Sequence, residues 1–155
     1  MHHAFLIDGY NVLFHRSRLA RNCPPHRLRK ARESFVALLV HFRAQAGYPV
    51  TVVFDGVSEP VGFGLDRVME GDVEVIYSPR GQIADETLRG LMDRRAAKTQ
   101  PTLVTSDREL VASARMRAVP VLSAAEFVEF VAEETGGTAP APGKEPPKPD
   151  PDVQA

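Results

Sequence analysis

The chain has 155 residues, 43% hydrophobic and 25% charged, with a formal net charge of −1. That balance predicts one soluble globular domain with a sizeable core; it gives no apolar run long enough for a bilayer and no overall basic charge to announce a nucleic-acid binder. Cys23 is the only cysteine, so no intramolecular disulfide can form, and Met1 leads within a few residues into a strand rather than a signal peptide; both predict a cytoplasmic protein.

Phe5, Leu6 and Ile7 form a short apolar strand that runs straight into Asp8-Gly9. Between Arg16 and Arg32 lie Arg18, Arg21, Arg27, Arg29 and Lys30, with no acid until Glu33. Such a stripe is either a solvated helical face or a track that neutralises phosphates. Leu28, Ala31, Phe35, Leu38, Leu39 and Phe42 recur at helical spacing and predict a long amphipathic helix from Pro25 to Ala46, stopped by Gly47. A β-branched strand over residues 50–54 ends on Asp55-Gly56.

Residues 57–72 read as an irregular loop, and Gly62-Phe63-Gly64 lacks the further glycine and Lys-Ser/Thr of a phosphate loop. A strand over 73–77 and a Pro79-Arg80-Gly81 turn precede a helix with Ala84, Leu88, Leu91 and Met92 inward and Asp85 and Glu86 in its first turn. A fourth strand over 102–105 ends on Ser106-Asp107, and a helix with Leu110, Val111 and Ala114 inward follows. A short fifth strand over 119–122 leads to Ser123, which caps a last helix carrying Ala124, Phe127, Val128 and Val131. Alternating strands and helices predict an α/β fold, a mostly parallel five-stranded sheet covered by helices on both faces. The domain is expected over residues 1–135; residues 136–155, rich in Pro, Gly and Ala, have too little to bury and are expected to be disordered.

In an open parallel sheet, ligands bind beyond the carboxyl ends of the strands. Asp8, Asp55 and Asp107 each follow a strand, and Asp85 starts a helix that can approach the same edge. Singly, each has a structural reading: Asp-Gly turns for Asp8 and Asp55, a Ser106-x-x-Glu109 capping box beside Asp107, and a helix-dipole acid for Asp85. Together they are like charges that need compensation, either by a proton or by a cation. Carboxylate oxygens suit Mg²⁺ or Mn²⁺, and the scattered histidines offer no zinc pattern. Asn11 either caps a helix or orients a phosphate, and Ser106 caps or donates to one. Arg80 and Arg108 flank the acids, either as phosphate ligands or as surface partners.

The segments LIDGYNVL (6–13), VVFDG (52–56), GQIADETL (81–88) and LVTSDREL (103–110) together resemble the YacP-like branch of the NYN domains, a family of PIN-like nucleases, through about residue 134. The resemblance implies a three-layer PIN-like, Rossmann-like fold with the first and fourth strands adjacent, so that Asp8 and Asp107 lie side by side. It implies metal-dependent endoribonuclease activity on single-stranded RNA, with Asp8, Asp55, Asp85 and Asp107 as metal ligands and Asn11 as their polar companion. Metal-activated water would attack the phosphorus in line and leave a 5′-phosphate and a 3′-hydroxyl. Messenger RNA is the implied substrate and the ribosome an implied partner, and Arg16 and Arg18 become part of an RNA track. The chain departs from the family pattern at Glu86, where an Asp is frequent, and at Val111, where a Gln is expected.

Two other phosphate-handling folds fail on named residues. A receiver domain wants an acidic pair after the first strand and a lysine after the fifth; a haloacid-dehalogenase phosphatase wants a second Asp where Tyr10 stands. The alternative from a different class is a PIN-like RNA- or ribosome-binding module without strong catalysis. The residues leave the oligomeric state open.

Overall fold

A computed structural model describes residues 3–19, 22–55, 66–78 and 84–137. The elements in chain order are β1 (Ala4–Asp8), α1 (Gly9–Ser17), α2 (Pro25–Ala46), β2 (Val50–Phe54), β3 (Asp66–Glu70), β4 (Val73–Tyr77), α3 (Ala84–Thr99), β5 (Pro101–Val104), α4 (Arg108–Met116), β6 (Val121–Leu122) and α5 (Ala124–Glu134). The sheet order is β3-β4-β2-β1-β5-β6, and every pairing is parallel except β3 with β4. The chain therefore steps outward from β1 to β2 and β4, then returns to lay β5 against the other side of β1. That reversal puts the switch point between the carboxyl ends of β1 and β5.

Helices cover both faces, giving three layers. On one side α1, α2 and α5 bury Val12, Leu13, Phe35, Leu39, Phe42, Phe127 and Val131 against Phe5, Ile7, Val52, Phe54 and Val75. On the other side α3 and α4 bury Leu88, Leu91, Met92, Leu110 and Ala114 against Leu6, Val53, Ile76 and Leu103. Consecutive strand residues enter opposite cores, as a pleat requires, so strands such as β2 are apolar throughout. Gly47 ends α2 in the left-handed conformation, φ 82°, where a side chain would be strained.

The sheet has six strands rather than the five expected. The added strand, β3, lies in the stretch expected to be an irregular loop. It is an edge strand held by β4 alone, with Val68 opposite Val75 and Glu70 opposite Val73. Residues 67–70 are exposed, so the strand carries no buried run to announce it. Its signal was the turn: Gly71 at φ 57° begins a two-residue hairpin loop, the position where a type II′ turn favours glycine. The helix α1 was also unannounced, because it starts on a glycine directly at the end of a strand, without a side-chain cap. The Gly62-Phe63-Gly64 fragment, the Pro79-Arg80-Gly81 turn and all of the expected tail beyond Gly137 lie outside the described residues.

Candidate active site at the carboxyl edge of the sheet

Asp8 is the last residue of β1 and is buried, at 8% exposure. It is positioned as the N-cap of α1, yet its side chain makes no capping bond. Its Oδ2 instead accepts a hydrogen bond of 2.9 Å from the Thr105 hydroxyl, which lies just past β5 and is fully buried. The same hydroxyl oxygen accepts from the Asp107 backbone N–H at 3.0 Å. One threonine thus ties the first and last acids together across the switch point.

Asp8-Gly9 is no turn but a direct strand-to-helix junction, and the glycine is demanded by close approach. A Cβ at Gly9 would stand 2.5 Å from the Phe54 ring and 2.8 Å from the Val53 carbonyl oxygen. Without a side chain there, α1 can begin hard against β2, turning Tyr10 and Asn11 over the sheet edge. Asn11 Oδ1 accepts a 2.9 Å bond from the Ser106 backbone N–H. Its amide nitrogen donates to no described residue and remains available to an oxygen ligand.

Asp107 is the N-cap of α4. Its Oδ1 accepts from the backbone N–H groups of Glu109 at 2.9 Å and Leu110 at 3.2 Å, leaving Oδ2 without a hydrogen bond among the described residues. The expected Ser106-x-x-Glu109 capping box is therefore corrected by one residue: the carboxylate caps the helix. The Ser106 hydroxyl oxygen accepts from the Ala124 backbone N–H at 3.0 Å, fastening the β5–α4 loop to the start of α5. The Ser123–Glu126 box is present as expected.

Asp55 directly follows β2, and Asp85 occupies the first turn of α3. Burial, then the negative charge of Asp107, push the Asp85 carboxyl above the usual range; Glu109 and Asp55 add to the shift and Arg89 opposes it. Asp55, Asp85 and Asp107 therefore share one electrostatic neighbourhood, and Glu109 joins them as an acid that sequence reasoning had treated only as a cap partner. Among the described residues no three acidic, histidine or cysteine side chains are already gathered around one point.

A sequence model of the YacP-like NYN domain matches residues 5–145. The chain belongs to this family. The YacP-like NYN family is one of PIN-like nucleases, and the six-stranded, mostly parallel sheet between helical layers is its fold. Among solved structures, the chain is similar to Rae1 (YacP) from Bacillus subtilis, with a TM-score of 0.66, 23% identity, and 84% of this chain and 74% of that one covered. The W164L mutant of the same protein gives a TM-score of 0.68 and 23% identity, covering 84% and 76%. No curated protein matches the chain. Among the described residues, no helix of this YacP-like domain is long and apolar enough to cross a membrane.

The remaining expected site residues in the YacP-like chain divide by environment. Arg108 is exposed beside Asp107 at the start of α4, and Arg18 is exposed just past α1 with a left-handed backbone, φ 55°. Arg16, in the last turn of α1, is half-buried, and burial lowers its pKa from the usual guanidinium value. Arg80 lies outside the described residues. The basic stripe is not uniformly solvated, because its last member, Arg32, is buried and donates to the Tyr10 hydroxyl at 3.0 Å. Thr105 was missed as a site residue. Its signal was a hydroxyl wedged between an apolar strand and the final acid, in the triplet Thr105-Ser106-Asp107.

Proposed function

We propose that this protein is a metal-dependent endoribonuclease that cleaves single-stranded RNA, with messenger RNA as the substrate and the ribosome as its setting. The observation that carries the reading is the union of Asp8 and Asp107 through the Thr105 hydroxyl at the switch point, with Asp55 and Asp85 on the same edge. Acids arranged in this way concentrate negative charge where an open parallel sheet takes its ligand.

The donors fit a hard divalent cation in chemistry and charge: all are carboxylate oxygens, one carboxylate oxygen of Asp107 accepts no hydrogen bond from the described residues, and the charges of Asp107, Glu109 and Asp55 add to the burial that raises the cost of ionising Asp85. Asp8 and Asp107 would be the principal ligands of Mg²⁺ or Mn²⁺, with Asp55 and Asp85 direct or through water. When bound, the ion supplies charge neutralisation at the phosphate and a water of lowered pKa.

The chain's own groups hold the substrate. The Asn11 amide, fixed through its carbonyl oxygen to Ser106, offers its N–H groups to a phosphate oxygen. Arg108, exposed at the start of α4, and Arg18, exposed just past the end of α1, would neutralise flanking phosphates. Thr105 holds the Asp8 carboxylate in one orientation, which spares reorganisation when substrate arrives.

The reading is tested by a cleavage time course on labelled single-stranded RNA with Mn²⁺, Mg²⁺ or EDTA, wild type beside Asp8→Asn. Fragments that need metal, carry 5′-phosphate ends and vanish in the variant are expected. Retention of RNA without cleavage under every metal, on free RNA and on translating ribosomes alike, would instead identify an RNA-binding module.

A further inference from the structure

On the face covered by α2, a groove of about 570 Å³ runs between that helix and the β3–β4 hairpin. Its floor is Val68 and Val75, opposite each other across the hairpin, and its helical wall is Val36 and Val40. One end is pinched where a Cβ at Gly71 would come within 2.9 Å of Val40. At the other end the Arg32 guanidinium lies 5.7 Å from the centroid of the Tyr77 ring.

That second end belongs to the carboxylate edge. Arg32 Nη1 donates to the hydroxyl of Tyr10, two residues past Asp8. Tyr77 is the last residue of β4 and pairs with Phe54, the residue before Asp55. The groove and the candidate site thus share a rim.

We propose that this groove receives one unstacked base of the RNA strand, adjacent to the cleaved phosphate, with Tyr77 and Arg32 as its stacking end. This rests on the ribonuclease reading and adds to it a subsite for a base. A flat π-system suits an aromatic ring paired with a guanidinium, the combination by which single-stranded RNA is gripped. The valine floor and wall offer a phosphate no donor, and Glu33 and Glu70 on the lining repel one. Those same carboxylates accept hydrogen bonds from the exocyclic amino group of a base. A base in the groove would fix the register of the strand and so choose which phosphate meets the acids.

The test is an abasic scan: short single-stranded RNAs, each lacking one base, are bound to the full chain in EDTA and their affinities measured. Ala37 is exposed on α2 and lines the groove, so Ala37→Phe fills it; Val68→Phe, at a position 44% exposed, fills it from the floor if the first variant does not fold. One abasic position is expected to weaken wild-type binding about tenfold, within the range of one stacked base, and that penalty is expected to vanish in the filled variant. RNA that binds and is cleaved with no abasic penalty, or with a penalty the filled variant keeps, overturns the proposal and leaves the ribonuclease standing. RNA that is neither bound nor cleaved, free or on translating ribosomes, removes the ribonuclease reading and the subsite with it.

Discussion

Thr105 donates its hydroxyl proton to Asp8 Oδ2 at 2.9 Å although 97 residues separate the two in sequence. The hydroxyl is fully buried and also accepts the Asp107 backbone N–H, so its removal takes a hydrogen bond from a buried carboxylate and from an amide at once. Thr105→Val keeps the shape and removes both bonds. It is expected to cost about 1–3 kcal/mol of stability and to impair cleavage, while Thr105→Ser retains most of each. Denaturant unfolding and RNA cleavage on the two variants check this; equal behaviour of Val and Ser would show that the hydroxyl orients nothing.

Gly9→Ala asks for space that does not exist. Phe54 is fully buried, and the Val53 carbonyl belongs to a central strand, so neither can retreat freely from the new methyl group. A loss of about 1–3 kcal/mol is expected, as for an overpacked core, even though alanine is the better helix former. A thermal melt matching wild type would mean that α1 can shift away from β2.

Asp85 makes the metal-free protein less stable as pH rises. Its folded pKa is raised by burial and by the charge of Asp107, so between the ordinary carboxylate pKa and the raised one the folded state holds more proton than the unfolded. Stability therefore falls with rising pH across that window and stays lowered at neutral pH. Asp85→Asn is expected to raise the neutral-pH melting temperature in EDTA and to flatten this part of the pH profile. Added Mn²⁺ should stabilise wild type more than the variant, and a melting profile unchanged by the substitution would contradict the crowding of these acids.

Glu74 works in the opposite sense, on the same face of the sheet but toward the amino end of β4. Burial alone would raise its carboxyl, but hydrogen bonds from Arg95 and Thr51 and the charges of Arg95 and Arg67 outweigh that and hold it below the usual range. Its contribution is present above the unfolded carboxylate pKa and is lost as pH falls through the lower folded value. Glu74→Gln is expected to destabilise the protein at neutral pH and to lose that difference in acid, read from melts taken along a pH series. A difference that persisted in acid would assign the effect to packing.

Much of this molecule is written in local pattern. The helix Pro25–Ala46 and the strands Val50–Phe54 and Val73–Tyr77 have the expected limits, because burial of one helical stripe, or of both strand faces, leaves a periodic trace in the sequence. The acids at strand ends were legible for the same reason, since a carboxylate after an apolar run has few ways to be buried. The edge strand β3 and the helix α1 left no such trace: one is exposed over residues 67–70, and the other draws its start from a neighbouring strand rather than from a cap of its own. The pairing of β1 with the strand that ends near Asp107 is the one the family resemblance implied; the rest of the strand order, with β4 beside β2 and β3 at the edge, was decided by tertiary structure. It also turned Arg32 from a basic stripe onto Tyr10 and Tyr77, and brought the Thr105 hydroxyl to Asp8. Those relationships depend on the order of strands across the sheet, a long-range packing outcome that no short window of sequence contains.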